Sequence, residues 1–483
     1  MEKYDIIVVG AGISGLLSAL TLSKHGNRVL VLEKDNTVGG NCNSYMVDGF
    51  QVDTGAHAIT HLQKGPLRHL MDNYFDYMPV FEDYGHYFIR THDHFMKVPS
   101  NIKELVTFDI LPRKDRIIVT QAITKALTLS TFGVDLSKQS VYDFMPDNLC
   151  KDTCDFMDTI SYFLSGKDMK QTSAQRILAG SSFVRDSVPQ EQMESIVNNA
   201  EQHTEPVLKS ILPSNLHTSL QARMDKLSNP FTSLGRLATN KVTYSQGYPR
   251  KGLKALLNAL LSSLPNSVEI RTGCKVNKII TSNGKAIGVE ADEIYYADNV
   301  IFTGFVTDLP QMIESLPHSY VKELEGVVHT RSLTIWTGLN TVMDEFNYIG
   351  SEIWFKERPY WAMPISNYDA SLAPKGKQLV GFSFILNGDG NESQRIKDSY
   401  ETIYSAIPGI EDKIEMTHNQ ITIPEKAAVT IDGYFADNRT PIRNLYVAGT
   451  DTDKRSMGIT RAAYSVIELL KKMNEDRNLH RLN

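Results

Sequence analysis

The chain has 483 residues, 41% of them hydrophobic, which is ample for a large core and more than one compact domain ordinarily needs. Its 50 basic and 56 acidic side chains leave a net charge of −6 with no long basic block, which argues against nucleic acid as a partner. Four scattered cysteines, Cys42, Cys150, Cys154 and Cys274, fit a reducing compartment; Cys150 and Cys154, four apart, are either a redox pair or two ordinary thiols.

The first element is an apolar strand, Tyr4 to Val9, which runs into Gly10-Ala11-Gly12-Ile13-Ser14-Gly15 and then a helix from Leu16. A second apolar run, Arg28 to Leu32, is closed by Glu33. This is strand, glycine turn, helix, strand, acid, the pattern that binds a dinucleotide. Gly10 permits the tight turn, Gly12 lets backbone approach a pyrophosphate, and Gly15 lets the helix pack closely. The helix N-terminus offers N–H groups to the phosphates, and Glu33 reaches ribose hydroxyls. Residues 6 to 22 are apolar enough to mimic a signal or anchor. Glycines interrupt them, Asp5 precedes them, and no basic leader is present, so we expect a cytoplasmic protein without a membrane span, at most peripheral to a membrane.

A second glycine turn follows at Val38-Gly39-Gly40-Asn41, then a hairpin around Asp48-Gly49. Residues 80 to 98 alternate aromatic and polar, as strands do. From about 100 to 240 the period is helical, with Ile110 to Thr131 the clearest segment. Short strands are predicted at Val268-Glu269-Ile270, Lys278-Ile279-Ile280 and Ala286 to Val289, and a buried parallel strand at Val300 to Gly304. Ser332 to Leu339 and Gln378 to Leu386 read as mixed strands roofing a substrate cavity. The tail repeats strand, turn and helix: Leu445 to Asp451, Met457 to Tyr464, then helix to Met473.

That tail decides the cofactor. A strand ending Ala448-Gly449-Thr450-Asp451 places a carboxylate beside the first phosphate turn, where it can bond a ribityl hydroxyl. A helix starting near Gly458 aims its N-terminus at a second electron-rich group, in a flavin the pyrimidine edge. No second glycine fingerprint for a nicotinamide domain and no metal-site spacing of His or Cys are present, so the electron donor or acceptor is external.

Three blocks carry a family resemblance: Asp5 through Gly55; Gly247-Tyr248-Pro249-Arg250-Lys251-Gly252-Leu253 through Lys275-Val276 to Ala297-Asp298 and Val300-Ile301; and Leu445 to Ala463. In order and spacing they resemble the phytoene desaturase family of FAD-dependent oxidoreductases, within the wider amine oxidase-like flavoproteins. The resemblance implies FAD as cofactor. Gly10, Gly12, Ser14, Gly15 and Glu33 would hold its ADP half, with Lys34, Gly39 and Gly40 along the pyrophosphate and ribityl chain. Val276 would touch adenine through its backbone. Gly449, Asp451, Gly458, Ile459 and Thr460 would hold the ribityl and isoalloxazine end.

The chain departs from the desaturase pattern in two places. After Gly55 it has Ala56-His57 and then His61, where many carotenoid desaturases have proline. His57 or His61 is therefore a candidate proton donor or acceptor at the substrate, the alternative being a histidine that bonds loop backbone. Arg461, in the first turn of the last helix, pairs with an anionic substrate head or with a nearby acid. Tyr360, Trp361 and Met363, with Trp354 and Phe355, either line a lipid tunnel or pack in the core. Leu105 to Leu129 either dips into a membrane or caps the core.

The expected fold is α/β: an FAD-binding Rossmann-type (glutathione reductase-like) domain from residues 1–80, 240–310 and 425–483, and a mixed-sheet substrate domain with a helical cap from 81–239 and 311–424. The expected activity is FAD-dependent desaturation or saturation of a long isoprenoid, a carotenoid or polyprenyl lipid. Flavin-dependent hydration or isomerisation without net redox is the first alternative; amine oxidation or a non-catalytic FAD-binding escort role comes next.

Overall fold

A computed structural model describes residues 3–55, 58–99, 102–131, 134–145, 148–180, 245–356, 358–386 and 391–476. The chain divides into two compact units. One comprises Met1–Val98, Ser245–Ala428 and Gly433–Asn483; the other comprises Pro99–Tyr244 and Val429–Asp432.

The first unit contains two large sheets. One is built from β1 (Lys3–Val9), β2 (Val29–Leu32), β3 (Val268–Arg271), β4 (Lys278–Ser282), β5 (Lys285–Glu290), β6 (Ile294–Phe302) and β7 (Leu445–Val447). Its order is β3-β2-β1-β6, all parallel. The far edge of β6 is shared. Val300 to Phe302 pair in parallel with β7, and Ile294 to Tyr296 pair antiparallel with β5, which continues into β4. Central strands are unbroken apolar runs because both faces are covered: Ile6, Ile7, Val8 and all of β2 are buried. Helix α1 (Ile13–Lys24) follows β1 directly and ends at His25-Gly26, where Gly26 turns left-handed. Helix α2 (Gly458–Glu475) packs alongside α1. All three sequence blocks thus meet at the C-terminal ends of β1, β6 and β7, where ligands bind in open α/β sheets.

The second sheet runs in the order 414–422, 332–339, 378–385, 360–363, 350–354, 86–90, 95–97. It is antiparallel except where Gly350–Trp354 meets His86–Arg90. Alternation along 360–363 splits its two faces. Tyr360 and Ala362 join a core with Leu333, Phe382 and Ile403 under helix Glu392–Ala406. Met363 joins Phe50, Val52, Tyr248 and Trp336 on the other face. Trp354, Phe355, Tyr360 and Met363 are therefore buried core residues, with the Trp354 and Tyr360 rings stacked 6.3 Å apart, while Trp361 is half-buried. Fully buried Glu352 is satisfied on this sheet by Arg90 at 2.6 and 2.8 Å and by the hydroxyls of Tyr348 and Tyr360, both at 3.0 Å.

The hairpin forms as expected: Ser44–Val47 pairs with Phe50–Asp53 across Asp48 and Gly49, both with positive φ, the turn that matches strand twist. In the second unit, helix Arg113–Thr131 begins just after Pro112 and packs Ala126 against Leu136 and Ala174. None of the described helices is long and apolar enough to cross a membrane. All four cysteines are free.

Candidate cofactor site

The glycines of the first turn differ in what they do. A Cβ on Gly15 would lie 2.0 Å from the Gly10 carbonyl oxygen, so this position must be glycine for α1 to sit on the turn. A Cβ on Gly12 would meet nothing within 4 Å, and Gly12 has an ordinary extended conformation (φ −70°, ψ 177°). Gly12 thus faces open space at the N-terminus of α1, a cradle that a side chain would fill. The second turn closes on the first: the Gly39 N–H donates to Ala11 O at 2.8 Å, and a Cβ on Gly40 would come 3.3 Å from Gly12 Cα. Glu33 is buried beside them, its carboxylate accepting from the Ala11 N–H (2.6 Å) and the Asp35 N–H (2.9 Å). Each oxygen retains a lone pair for a ribose hydroxyl. Ser14 is buried in the first turn of α1, Val276 is buried under the sheet, and Lys34 is exposed.

The C-terminal block arrives from the other side. Asp451 is fully buried; Oδ2 accepts from the Val306 N–H at 2.9 Å, while Oδ1 has no partner. A Cβ on Gly449 would lie 2.5 Å from that Oδ1. An orphaned, buried carboxylate oxygen costs free energy that a ligand hydroxyl recovers. Next to it lies a residue the sequence reading did not single out, Lys426, which donates to the carbonyls of Thr303 (2.6 Å) and Gly304 (2.7 Å). Thr303 in turn donates from Oγ1 to Val9 O and Gly10 O, joining the end of β6 to the glycine turn. Open space at Gly12, an acid at Glu33 and the unsatisfied Asp451 oxygen fit a dinucleotide with a polyol chain.

The start of α2 holds two differences from expectation. Its first N–H, at Gly458, is already taken by Glu425 Oε1 at 2.6 Å. Arg461 is buried rather than facing a substrate. It donates to Ser456 O, Ala427 O and Thr450 O, and its Nη1 lies 2.8 Å from Glu425 Oε2. Of the two partners expected for Arg461, the nearby acid is the one present, and the anionic substrate head is set aside because its donors point at protein oxygens. Ile459 and Thr460 are buried, and Thr460 Oγ1 bonds Thr60 O at 3.0 Å. Thr60 Oγ1 also bonds Ser456 Oγ and Thr460 Oγ1, so the short strand Ile59–Thr60 is tied to the start of α2. His61 follows at once in a left-handed conformation, φ 58°. His57 lies outside the described residues.

Two buried polar groups hold the first block, one to the second sheet and one to the second block. Gln420 spends its amide on four bonds: Oε1 accepts from the Gly55 N–H and Trp336 Nε1, and Nε2 donates to Asp53 O and Tyr45 Oη. Asp53 accepts from Ser44 Oγ (2.6 Å), Tyr248 Oη (2.5 Å) and the Leu253 N–H (3.2 Å). Asp53 thereby ties the Asp53-Thr54-Gly55 segment to Tyr248 and Leu253 of the second block. Burial pushes the Asp53 carboxyl up to about 6 despite those donors. Burial and the Asp53 charge push the Cys42 thiol up to about 12, which keeps it protonated and inert.

A pH dependence follows. Asp53 titrates near 6 when folded and near 4 when unfolded, so between those values the native state binds more protons. Its contribution to stability therefore rises as pH falls from about 7 to about 4, by up to about 3 kcal/mol. Asp369 and Asp476, held below the usual carboxylate range, lose their contribution only at lower pH. His25 and His69, held by burial below the usual imidazole value, act in the opposite sense, so the check is the difference: between pH 7 and pH 4.5 the urea midpoint of Asp53→Asn should lack the acid-side gain that Asp53 gives the wild type.

Comparison with known proteins completes the assignment. The chain is similar to prolycopene isomerase 1 of an Oncidium hybrid cultivar, 22% identical over 539 aligned positions that cover 99% of this chain and 85% of that one. A stretch of 72 residues is 44% identical to all-trans-retinol 13,14-reductase of Rattus norvegicus, covering 15% of this chain and only 12% of the reductase. The fold is similar to that of an oxidoreductase from Methanosarcina mazei, with a TM-score of 0.71 at 20% identity over 96% of this chain and 99% of that one. The family model for flavin containing amine oxidoreductases matches residues 13–465, nearly the whole length. The chain belongs to that family, and it is an FAD-dependent oxidoreductase.

Proposed function

We propose that the protein transforms the double bonds of a long isoprenoid, a carotenoid, retinoid or polyprenyl lipid. The observation that carries this is the relative named a prolycopene isomerase, whose similarity runs through 99% of the chain. The partial match to a retinol reductase points to the same substrate class. Residues 1–80, 240–310 and 425–483 hold the cofactor in this reading, and the mixed sheet meets the substrate.

Gly10, Gly12, Ser14 and Gly15 receive the diphosphate of FAD at the start of α1, flanked by Lys34, Gly39 and Gly40. Glu33 accepts from the ribose, Asp451 accepts from the ribityl chain, and Val276 meets adenine. Gly449, Gly458, Ile459 and Thr460 shape the flavin end. Bound FAD supplies the hydride acceptor or donor. A hydrocarbon chain offers no acidic proton, so the residues around it act by orientation and by excluding water. For desaturation His57 or His61 would be the candidate base that takes the proton, FAD would supply the two-electron acceptor for the accompanying hydride equivalent, and an external acceptor would take those electrons on. Saturation runs the other way with an external donor.

The second reading, isomerisation or hydration without net redox, is favoured by the name of the relative spanning the chain. Anaerobic incubation of the FAD-loaded protein with a panel of isoprenoids separates the two. Bleaching of the oxidised flavin band with a product two hydrogens lighter is expected for desaturation. A product of unchanged mass or gaining water, formed with pre-reduced flavin and no net flavin change, marks the second. No conversion in either flavin state across the panel rejects the isoprenoid reading.

A further inference from the structure

Lys426 is half-buried, and its ammonium sits where the three cofactor-binding segments converge. It donates to Thr303 O and Gly304 O at the end of β6. Thr303 reaches the carbonyls of Val9 and Gly10 in the first glycine turn. On the opposite side, a Cβ on Gly449 would be 3.5 Å from Lys426 Nζ and 2.5 Å from Asp451 Oδ1. The Phe305 ring lies 5.2 Å below the ammonium and helps fix it.

Its charge is not matched by its direct partners. Two of the three ammonium donors go to neutral carbonyl oxygens. Burial pulls the lysine below its usual value, and the nearby carboxylates of Asp451, Asp308 and Glu33 oppose that shift without cancelling it. A buried cation is maintained when an anion completes it.

The cradle has the converse problem. A diphosphate brings about two negative charges to a site where Glu33 and Asp451 are already buried acids. Arg461 is spent on Glu425 and backbone carbonyls, Arg455 is paired with Asp453, and Lys34 is exposed. Among the described residues, half-buried Lys426 is a cation placed to offset that repulsion.

We propose that Lys426 is the counter-charge for the diphosphate of FAD, reaching it across the gap between the Gly10–Gly15 turn and Asp451. This rests on FAD being the cofactor. It makes Lys426 a cofactor-positioning residue, outside the redox step itself.

The test is equilibrium binding of FAD and of ADP-ribose, which shares the diphosphate but lacks the flavin, to wild type, Lys426→Gln and Lys426→Arg. Gln keeps donors for the Thr303 and Gly304 carbonyls while removing the charge. Lys426→Gln should bind both ligands roughly 10- to 100-fold more weakly, a loss of about 1.4 to 2.7 kcal/mol. Its affinity should also depend less steeply on salt, and Lys426→Arg should restore part of the affinity. Unchanged FAD affinity in Lys426→Gln, or a loss with FAD but none with ADP-ribose, overturns the proposal. If Lys426→Gln does not fold, a crystal structure of the FAD-loaded wild type decides. Nζ within about 3.5 Å of a phosphate oxygen is expected, and Nζ bonded to the two carbonyls alone overturns it. A wild type that binds no FAD would instead reject the cofactor assignment.

Discussion

Gly12→Ala should fold like the wild type and lose tight binding of FAD. The added methyl meets no protein atom within 4 Å, and the backbone there is one that alanine adopts freely. Replacing glycine by alanine ahead of α1 costs the apoprotein under about 1 kcal/mol. The methyl instead occupies the space through which a phosphate approaches the N–H groups of the α1 terminus. Losing one or two charge-assisted hydrogen bonds removes about 2–4 kcal/mol, roughly 30- to 1000-fold in affinity. Gly15→Ala is the contrasting case, because its methyl would collide with the Gly10 carbonyl 2.0 Å away. That clash involves two pieces of backbone, so the apoprotein itself should lose about 3 kcal/mol or more. Flavin fluorescence titration with urea unfolding of the two apoproteins separates the effects. FAD affinity in Gly12→Ala equal to wild type would show that this turn is not the phosphate cradle.

The same contrast explains what could be read from the sequence. Gly10 to Glu33 is a local pattern in which each residue's role depends on neighbours within one strand–turn–helix, so the element order and the open side of Gly12 were legible, although the helix starts at Ile13, three residues before the expected Leu16. The Asp48-Gly49 hairpin and the strand at Ser332–Leu339 were legible for the same reason. The strand Ile414–Thr422 was missed although its residues alternate, as Met416 and Gln420 buried with Glu415 and Thr417 exposed show. Its pairing with 332–339 spans some eighty positions and leaves no local mark. Glu425 and Lys426, between Pro424 and Ala427, look like a solvated loop in sequence. They are instead half-buried and engaged, because carbonyls of Thr303 and Gly304 and the terminus of α2 converge on them. Arg461 had a local signal that went unused. It sits among Ile459, Thr460, Ala462 and Ala463, all buried, which marks a helix covered on every side at its start.

Arg461→Met should therefore be a stability variant first. The guanidinium is 1% exposed, and it joins Glu425 to the carbonyls of Ser456, Ala427 and Thr450. Methionine fills the volume but leaves Glu425 without its cation and three acceptors short of donors. Breaking a buried pair from one side costs about 3–5 kcal/mol. Glu425→Gln should cost a comparable amount: the amide oxygen can still accept from the Gly458 N–H, but Arg461 keeps its buried charge with only backbone carbonyls to meet it. The two together should be less damaging than their sum, since they remove one ion pair. Saturating FAD should restore part of the lost stability, because the ligand binds only the folded state. Thermal unfolding of the four proteins with and without FAD measures all of this. The decisive comparison is turnover per folded, FAD-loaded molecule. If Arg461 is a clamp at the start of α2, that turnover stays close to wild type under conditions where Arg461→Met is folded. An Arg461→Met protein of near-wild-type stability with turnover lowered a hundredfold would return Arg461 to the substrate.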